Sequence, residues 1–230
     1  MRMMKRVLAG IEAVLFDLDG TLVETNIDFP LMKREMLAFV ERYGLDTSLA
    51  ASLDILGIVD YLERSLVAVG KTAKAASARA EAMRRLEEIE ICHSTDARAI
   101  KHAGELVERL RSLGIKIGIV TRNSRRASEL SLEVVGMGTD MYMLAREDVP
   151  KTKPHPDHLL AALRHLGAAP DRSVMIGDHL MDVTAGKAAR MRTIGIQPPG
   201  RPADFFDEVK PNAVAKDLQE ILDAINDIHS

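Results

Sequence analysis

The residues of this chain that are best suited to chemistry follow directly after short apolar segments. They are two aspartates in Asp17-Leu18-Asp19-Gly20-Thr21, a hydroxyl at Thr121, an amine at Lys153, and two further aspartates at Asp178 and Asp182. If the apolar segments are parallel strands, their carboxyl ends lie at one edge of a sheet, where α/β proteins bind ligands. The spacing therefore predicts that carboxylates, a hydroxyl and an amine converge on one site.

Such a set of side chains favours a magnesium ion and a phosphate group. Converging carboxylates repel each other and raise each other's pKa unless a cation lies between them. Oxygen ligands without a His or Cys partner suit Mg²⁺, which is usually held by one or two carboxylates together with water and phosphate. Lys153 and Thr121 would then hold phosphate oxygens and balance the charge that develops during phosphoryl transfer.

Asp17 and Asp19 are expected to share the chemical work. In an extended segment, residues i and i+2 point to the same side, so both carboxylates can face the substrate. One can attack phosphorus while the other transfers protons. Gly20 permits a sharp turn beside the phosphate. Taken alone, Asp-Leu-Asp-Gly is explained equally well as a turn after a strand, but the polar residues at the other strand ends favour an active site.

The elements that position these residues are predicted from alternating apolar and helix-periodic segments, which are typical of a parallel sheet with crossover helices. The fold class is therefore α/β, with a doubly wound, Rossmann-like parallel sheet. The predicted strands are Ala13–Phe16, Lys116–Thr121, Met141–Leu144, Ser173–Ile176, Thr193–Ile196 and Asn212–Ala215. The predicted helices between and after them are Ala99–Leu113, Asp157–Leu166 and Asp217–Ile228.

Residues 25–94 interrupt this alternation with helical periodicity alone. Asp28 can cap a first helix that has Pro30 in its first turn and Gly44 after its end. Two more helices are predicted after it, and a plain crossover between strands needs only one. We therefore expect residues 1–24 and 95–230 to form a catalytic core and residues 25–94 to form an inserted helical cap domain. The active site is expected between the two, so that closure excludes water.

The four sets of residues resemble the signature motifs of the haloacid dehalogenase superfamily. The motifs are Phe16-Asp17-Leu18-Asp19-Gly20-Thr21-Leu22, then Thr121, then Lys153 in Lys153-Pro154-His155-Pro156-Asp157, then Gly177-Asp178 with Asp182. They occur in the family's order and span nearly the whole chain. The helical insert between the first two motifs is similar to the cap of phosphoglycolate-phosphatase-like members.

This resemblance implies a role for each residue that would touch the transferring group. Asp17 would be the nucleophile and a ligand of Mg²⁺. Asp19 would be the general acid and base, and its backbone carbonyl would also bind the metal. Thr121 and Lys153 would bind the phosphoryl group, with Lys153 also orienting Asp17. The implied reaction is the hydrolysis of a small phosphorylated metabolite through a phospho-aspartyl intermediate.

The remaining implied roles concern the metal and the loops around it. Asp178 would ligate Mg²⁺, and Asp182 would act on the metal directly or through a bound water. Gly20 and Asn123 would support the site, with Asn123 a candidate cap for the helix that follows Thr121. His179 replaces a Ser or Thr that is common in relatives; it could touch the metal's water shell or the substrate, but a loop role is the expectation.

Three other enzyme functions and one non-catalytic function are alternatives to a phosphatase. A phosphomutase shares every motif found here and stays open. A dehalogenase has no use for an acid at Asp19, and a phosphonate hydrolase needs a Schiff-base lysine in its cap, where nothing distinguishes Lys71 or Lys74. A protein that keeps the fold for binding or regulation alone usually loses the nucleophile or the lysine, and both are present.

Composition sets limits on partners and location. The 230 residues carry 31 Lys and Arg against 34 Asp and Glu, and a net charge of −3 offers no basic field to nucleic acid. No apolar run approaches the ~20 residues that span a bilayer. The single cysteine, Cys92, excludes an intrachain disulfide and is expected to be a packed thiol. We expect a cytoplasmic protein, monomeric or homodimeric, without nucleic-acid or membrane partners.

Overall fold

The chain forms ten helices and eight strands in the part that the structure describes, residues 1–138, 140–198 and 200–229 of a computed structural model. In chain order they are α1 (Arg2–Leu8), β1 (Ala13–Phe16), β2 (Val23–Glu24), α2 (Phe29–Arg42), α3 (Thr47–Ala51), α4 (Ile55–Ala68), α5 (Thr72–Ser94), β3 (Arg98–Ala99), α6 (Ala103–Ser112), β4 (Lys116–Val120), α7 (Arg125–Val134), β5 (Tyr142–Leu144), α8 (Asp157–Leu166), β6 (Ser173–Gly177), α9 (Leu180–Ala188), β7 (Arg192–Ile196), β8 (Ala213–Ala215) and α10 (Leu218–Ile228). Short 3₁₀ turns occur at Arg146–Asp148 and Pro170–Arg172.

Six strands form a parallel sheet in the order β5-β4-β1-β6-β7-β8. Central strand β1 pairs with β4 on one side and β6 on the other, so that Phe16 lies opposite Ile119 and Ile176. The strand order reverses on either side of β1, which is the point where doubly wound sheets bind ligands. The predicted fold class is confirmed.

Both faces of the sheet are buried, as its apolar strands require. In β1, Val14 and Phe16 join one core with apolar residues of α1, α6 and α10. Ala13 and Leu15, which point to the opposite face, join a second core with residues of α8 and α9. Helices therefore cover the sheet from both sides and hold the strand ends in fixed positions.

The predicted strands agree with the structure to within one residue at either end. Helix α8 has its predicted bounds, whereas α6 begins at Ala103 and not at Ala99. The reason is that Arg98–Ala99 forms strand β3, which pairs antiparallel with β2. Strands β2 and β3 and helix α1 are elements that the sequence patterns did not predict.

The chain divides into two compact units, Met1–Thr25 with Ser94–Ser230, and Asn26–His93. The first contains the sheet and both of its cores. The second is helical throughout, with α3 in addition to the three predicted helices. Asp28 caps α2 by accepting a hydrogen bond from the backbone N–H of Leu31 at 2.7 Å.

The helical unit has an apolar core of its own. Most of its buried residues come from α2, α4 and α5, and they include Met32, Met36, Val40, Ile58, Leu62, Leu66, Ala78, Ala82 and Leu86. Cys92 lies on the exposed side of α5, so the expectation of a packed thiol is wrong. Among the described residues, no helix is both long and apolar enough to cross a membrane.

Candidate active site

The first site residues lie in a tight turn after β1. The backbone N–H of Asp17 continues the sheet by donating to the Ile176 carbonyl at 2.9 Å. The chain then folds back, because the N–H groups of Thr21, Leu22 and Val23 all donate to the carbonyl of Leu18. Gly20 adopts φ +83°, a conformation that glycine accepts without strain. The turn holds Asp17 and Asp19 at the carboxyl edge of the sheet.

Asp19 has a partner that no sequence motif indicated. Its Oδ1 accepts hydrogen bonds from the backbone N–H of Thr25 at 2.9 Å and from the Thr25 hydroxyl at 2.6 Å. Thr25 is buried, directly after strand β2. Burial raises the pKa of Asp19 above its usual range, although the hydrogen bonds from Thr25 lower it. A carboxyl group whose pKa is raised can hold a proton for transfer.

Lys153 connects two of the predicted carboxylates. It lies in the loop between β5 and α8, and its side chain is only 2% exposed. Its Nζ donates to Asp17 Oδ1 at 2.6 Å and to Asp182 Oδ1 at 2.7 Å. Burial alone would lower the pKa of this amine, but the carboxylates of Asp17 and Asp182 raise it by more than burial lowers it. The pKa is therefore above its usual value, and the lysine is charged. Lys153 thereby fixes one oxygen of Asp17.

Asp178 and Asp182 come from the connection between β6 and α9. His179 is the N-cap of α9, and its Nδ1 accepts a hydrogen bond from the Met181 N–H at 3.2 Å. The backbone N–H of His179 in turn donates to Asp182 Oδ2 at 3.0 Å. Both oxygens of buried Asp182 are therefore engaged by the protein, one by His179 and one by Lys153. The expected loop role of His179 takes the specific form of a helix cap.

The carboxylates of Asp17, Asp178 and Asp182 converge, with ligand oxygens all within 4.8 Å of one another. Burial raises the pKa of Asp178 to about 8, and the neighbouring carboxylates of Asp17 and Asp182 add to the rise. Gly20 makes this crowding possible, because a Cβ there would lie 2.3 Å from Asp178 Oδ2. Clustered carboxylate oxygens that repel one another fit a hard divalent cation such as Mg²⁺.

Thr121 and Asn123 lie at the end of β4, the strand next to β1. Thr121 is buried, and its hydroxyl oxygen accepts a hydrogen bond from the backbone N–H of Asn123 at 3.1 Å. Asn123 does not cap the following helix. Ser124 does so instead, accepting from the Ala127 N–H at 3.2 Å, so the capping prediction for Asn123 is wrong by one residue. The contribution of Asn123 to the loop comes from its backbone.

The structure thus links Asp17 and Asp182 through Lys153, brings Asp178 close to both carboxylates, and places Asp19 and Thr121 at the same sheet edge. Thr25 is a further residue of this site, and no sequence pattern indicated it. His158 is another, since its Nδ1 accepts the backbone N–H of Lys153. It lies five residues after Lys153, in helix α8, and no sequence motif indicated it.

Comparisons with known proteins identify the family and relatives of this chain. Residues 14–196 match the family model described as haloacid dehalogenase-like hydrolase. The pyrophosphatase PpaX of Oceanobacillus iheyensis is 26% identical over 221 residues, 95% of this chain and 98% of that protein. PpaX of Bacillus mycoides is 26% identical over 228 residues, 95% of this chain and 99% of that protein.

Solved structures show the same fold. A hydrolase of this family from Deinococcus radiodurans, determined with bound phosphate and sodium, is 26% identical with a TM-score of 0.62, covering 96% of this chain and 97% of that one. A hydrolase from Pseudomonas syringae is 21% identical with a TM-score of 0.64, covering 95% of this chain and 100% of that one.

Proposed function

This chain belongs to the haloacid dehalogenase-like hydrolase family, and from that premise we propose that it is a magnesium-dependent phosphatase. The substrate is a small phosphorylated metabolite, and the reaction is hydrolysis of a phosphoric monoester through a phospho-aspartyl intermediate on Asp17. The observation that carries this proposal is the position of Asp17. One of its carboxylate oxygens is held by a buried lysine, and its ligand oxygens lie within 4.8 Å of those of two other carboxylates.

In the first step, the oxygen of Asp17 that Lys153 does not hold attacks phosphorus. The new bond joins that oxygen to phosphorus, and the bond between phosphorus and the leaving oxygen breaks. Asp19 donates its proton to the leaving oxygen, a role that its raised pKa supports. Lys153 holds Asp17 in place through the 2.6 Å contact and, with Thr121, binds the oxygens of the transferring group.

In the second step, water attacks the phosphorus of the phospho-aspartate. Asp19, now ionised, takes the proton from this water while the bond between phosphorus and the Asp17 oxygen breaks. Inorganic phosphate leaves, Asp17 is again a carboxylate, and Asp19 is again protonated. Thr25 keeps Asp19 in one orientation through both proton transfers, because it donates two hydrogen bonds to a single oxygen.

The metal would be held by Asp17, Asp178 and the backbone carbonyl of Asp19, with Asp182 near it. When bound, Mg²⁺ neutralises carboxylate and phosphate charge and so lowers the barrier to attack by an anion. The absence of His or Cys from this cluster of described residues supports a hard cation over Zn²⁺.

The helical unit Asn26–His93 is the proposed cap, and it selects the substrate. A crystal structure with a bound phosphate mimic tests this part of the proposal. We expect residues of 26–93 to contact the ligand, and a ligand contacted only by the sheet-containing unit would contradict the cap role.

Relatives guide the choice of substrates to assay. The related D. radiodurans structure holds phosphate, and the curated relatives from Oceanobacillus and Bacillus are named pyrophosphatases. Inorganic pyrophosphate therefore belongs in a panel with phosphoglycolate, sugar phosphates and nucleotides, assayed by phosphate release with Mg²⁺. The highest kcat/KM identifies the substrate class and decides between a monoester and an anhydride.

Asp17→Asn is the variant that tests the reaction. The amide keeps the size of the side chain but is not a nucleophile, so phosphate release falls to background. Asp171→Asn, at an exposed position in a 3₁₀ turn, is the matched control and keeps wild-type activity. EDTA abolishes turnover, Mg²⁺ restores it, and beryllofluoride inhibits. Substantial turnover by Asp17→Asn, or full activity in EDTA, would contradict the proposed function.

A further inference from the structure

His158 is a buried histidine that the reaction described above does not use. It lies in the first turn of α8 and has no exposed surface. Its Nδ1 accepts a hydrogen bond from the backbone N–H of Lys153 at 3.3 Å. The same Lys153 sends its Nζ to Asp17 and Asp182. The side chain of His158 therefore contacts the backbone of the residue that holds the nucleophile.

The protonation state of His158 suits it to accept this hydrogen bond permanently. Burial lowers its pKa to about 3, with the nearby charge of Lys153 lowering it further, so the ring is neutral at neutral pH. Because Nδ1 accepts a hydrogen bond, the ring proton is on Nε2. Nε2 is buried and, among the described residues, has no hydrogen-bond partner. Backbone groups of Leu144 and Ala145 also interact with the ring and raise its pKa, so the hydrogen bond from Lys153 is one of its polar interactions and the one that reaches the active site.

We propose that His158 is a positioning residue for Lys153, an inference that rests on the proposed function. The Lys153 amine contacts two carboxylates at once, at 2.6 Å and 2.7 Å, so a shift of its backbone must be absorbed by a flexible side chain or lengthen one of these contacts. The carboxylates fix the amine, and His158 fixes the backbone. Loss of the acceptor leaves a buried N–H without a partner and lets the loop shift, which moves the amine away from Asp17.

The test compares two variants of nearly equal shape. Asn can place an oxygen where His has Nδ1, whereas Leu has a methyl group there, so His158→Asn keeps an acceptor that His158→Leu lacks; the Asn NH2 replaces the second methyl of Leu. We expect His158→Leu to lower kcat/KM by about 10-fold or more, and His158→Asn to recover most of that loss. The Ki of inorganic phosphate should rise in the Leu variant, while the Mg²⁺ concentration for half-maximal activity stays unchanged. Arg164→Leu, on an exposed position of the same helix, should match wild type.

A purely structural histidine would give a different pattern. It would lower the melting temperature of both variants equally. The folded His158→Leu variant would then keep its kcat/KM and its Ki for phosphate within about twofold of wild type. That result overturns the proposal, as does a His158→Asn variant as slow as the Leu variant. If His158→Leu does not fold, His158→Gln replaces it, since its oxygen lies where Nε2 was and cannot accept from Lys153.

Amide hydrogen exchange separates this inference from the proposed function. The Lys153 N–H should be protected in wild type and in His158→Asn and exchange faster in His158→Leu, whether or not any substrate has been found. Equal exchange in all three proteins shows that the hydrogen bond does not position Lys153. If wild type shows no turnover but its Lys153 amide is protected, the proposed phosphatase activity is rejected and the hydrogen bond between His158 and Lys153 is retained.

Discussion

Asp17 and Asp19 are two residues apart, yet their carboxyl groups have different neighbours. Asp17 faces the amine of Lys153, which favours its ionised form, and Asp19 receives two hydrogen bonds from Thr25. Burial raises the pKa of both, and at Asp17 the charge of Lys153 opposes that rise. Different neighbours support a division between a nucleophile and a proton carrier.

Asp19→Ala tests this division through the leaving group. An alkyl phosphate leaves as a strongly basic alkoxide, so its first step should slow by ~10²–10⁴-fold without an acid. A nitrophenyl phosphate leaves as a stable phenolate and should lose much less. Hydrolysis of the intermediate needs Asp19 as a base in either case. The variant should therefore release a burst of nitrophenol and then stop as phosphoenzyme, measured by stopped-flow absorbance and intact-protein mass.

Asp17→Asn is the matched control, because it should show no burst with either substrate. Equal slowing of the first step for both leaving groups, without accumulated phosphoenzyme, would remove the acid–base role from Asp19.

The strands that carry the site could be predicted because each is a short apolar run followed by a polar residue. Strand β6 reads Ser-Val-Met-Ile-Gly and is buried along its whole length, and Asp178 follows it at once. Helix α1 was missed because Arg2, Lys5 and Arg6 give a basic N-terminus, although Met4, Val7 and Leu8 form a buried stripe at helical spacing. Strands β2 and β3 have two residues each, too few for a period-2 pattern.

The contacts between loops could not be predicted from the sequence. Thr25 reaches Asp19 because β2 pairs with β3, a partner more than 70 residues away. His158 is buried in α8, and a buried position in a helix does not indicate which residue of a neighbouring loop its side chain contacts. Motifs specify which residues react, but the side chains that hold them depend on tertiary structure, which no local pattern reports.

Packing of α9 against the sheet gives a prediction about stability at the level of elements. A Cβ on Gly186 would lie 2.4 Å from Thr193 Cγ2 and 3.2 Å from Met175 Cβ. Gly186→Ala should therefore destabilise the protein by about 1–3 kcal/mol despite the better helix propensity of alanine. The measurement is urea unfolding followed by circular dichroism.

Gly104→Ala, in α6, is the control for helix propensity. Among the described residues outside the adjoining backbone of α6, no atom lies within 4 Å of the added Cβ. This variant should be stabilised by up to about 1 kcal/mol. Equal effects of the two substitutions would show that α9 does not pack as closely on β6 and β7 as the structure indicates.

For the whole molecule, the carboxylate cluster makes stability depend on pH and metal. Folding raises the pKa of Asp178 from 3.8 to about 8, so between those values the folded state binds more protons than the unfolded state. The contribution of Asp178 to stability therefore falls as pH rises through this window when no metal is present. Asp178→Asn, which resembles the protonated acid, should melt above wild type at pH 8 in EDTA, and the difference should shrink toward pH 4.

Mg²⁺ should change the stability of the two proteins by different amounts. It should raise the melting temperature of wild type more than that of Asp178→Asn, because the variant has lost a ligand. Differential scanning calorimetry measures both effects, with Asp171→Asn as control. A wild type that is more stable than Asp178→Asn in EDTA at pH 8 would show that the carboxylates do not repel one another as their positions indicate.

The central claim, that Asp17 carries the phosphoryl group during turnover, is tested most directly by the stereochemistry at phosphorus. An in-line displacement inverts the configuration of phosphorus, so attack by Asp17 followed by attack of water gives net retention. The measurement uses a phosphorothioate substrate made chiral with oxygen isotopes and hydrolysed in isotopically labelled water. Retention of configuration is the predicted result. Inversion would show a single direct attack by water and would contradict the phospho-aspartyl mechanism.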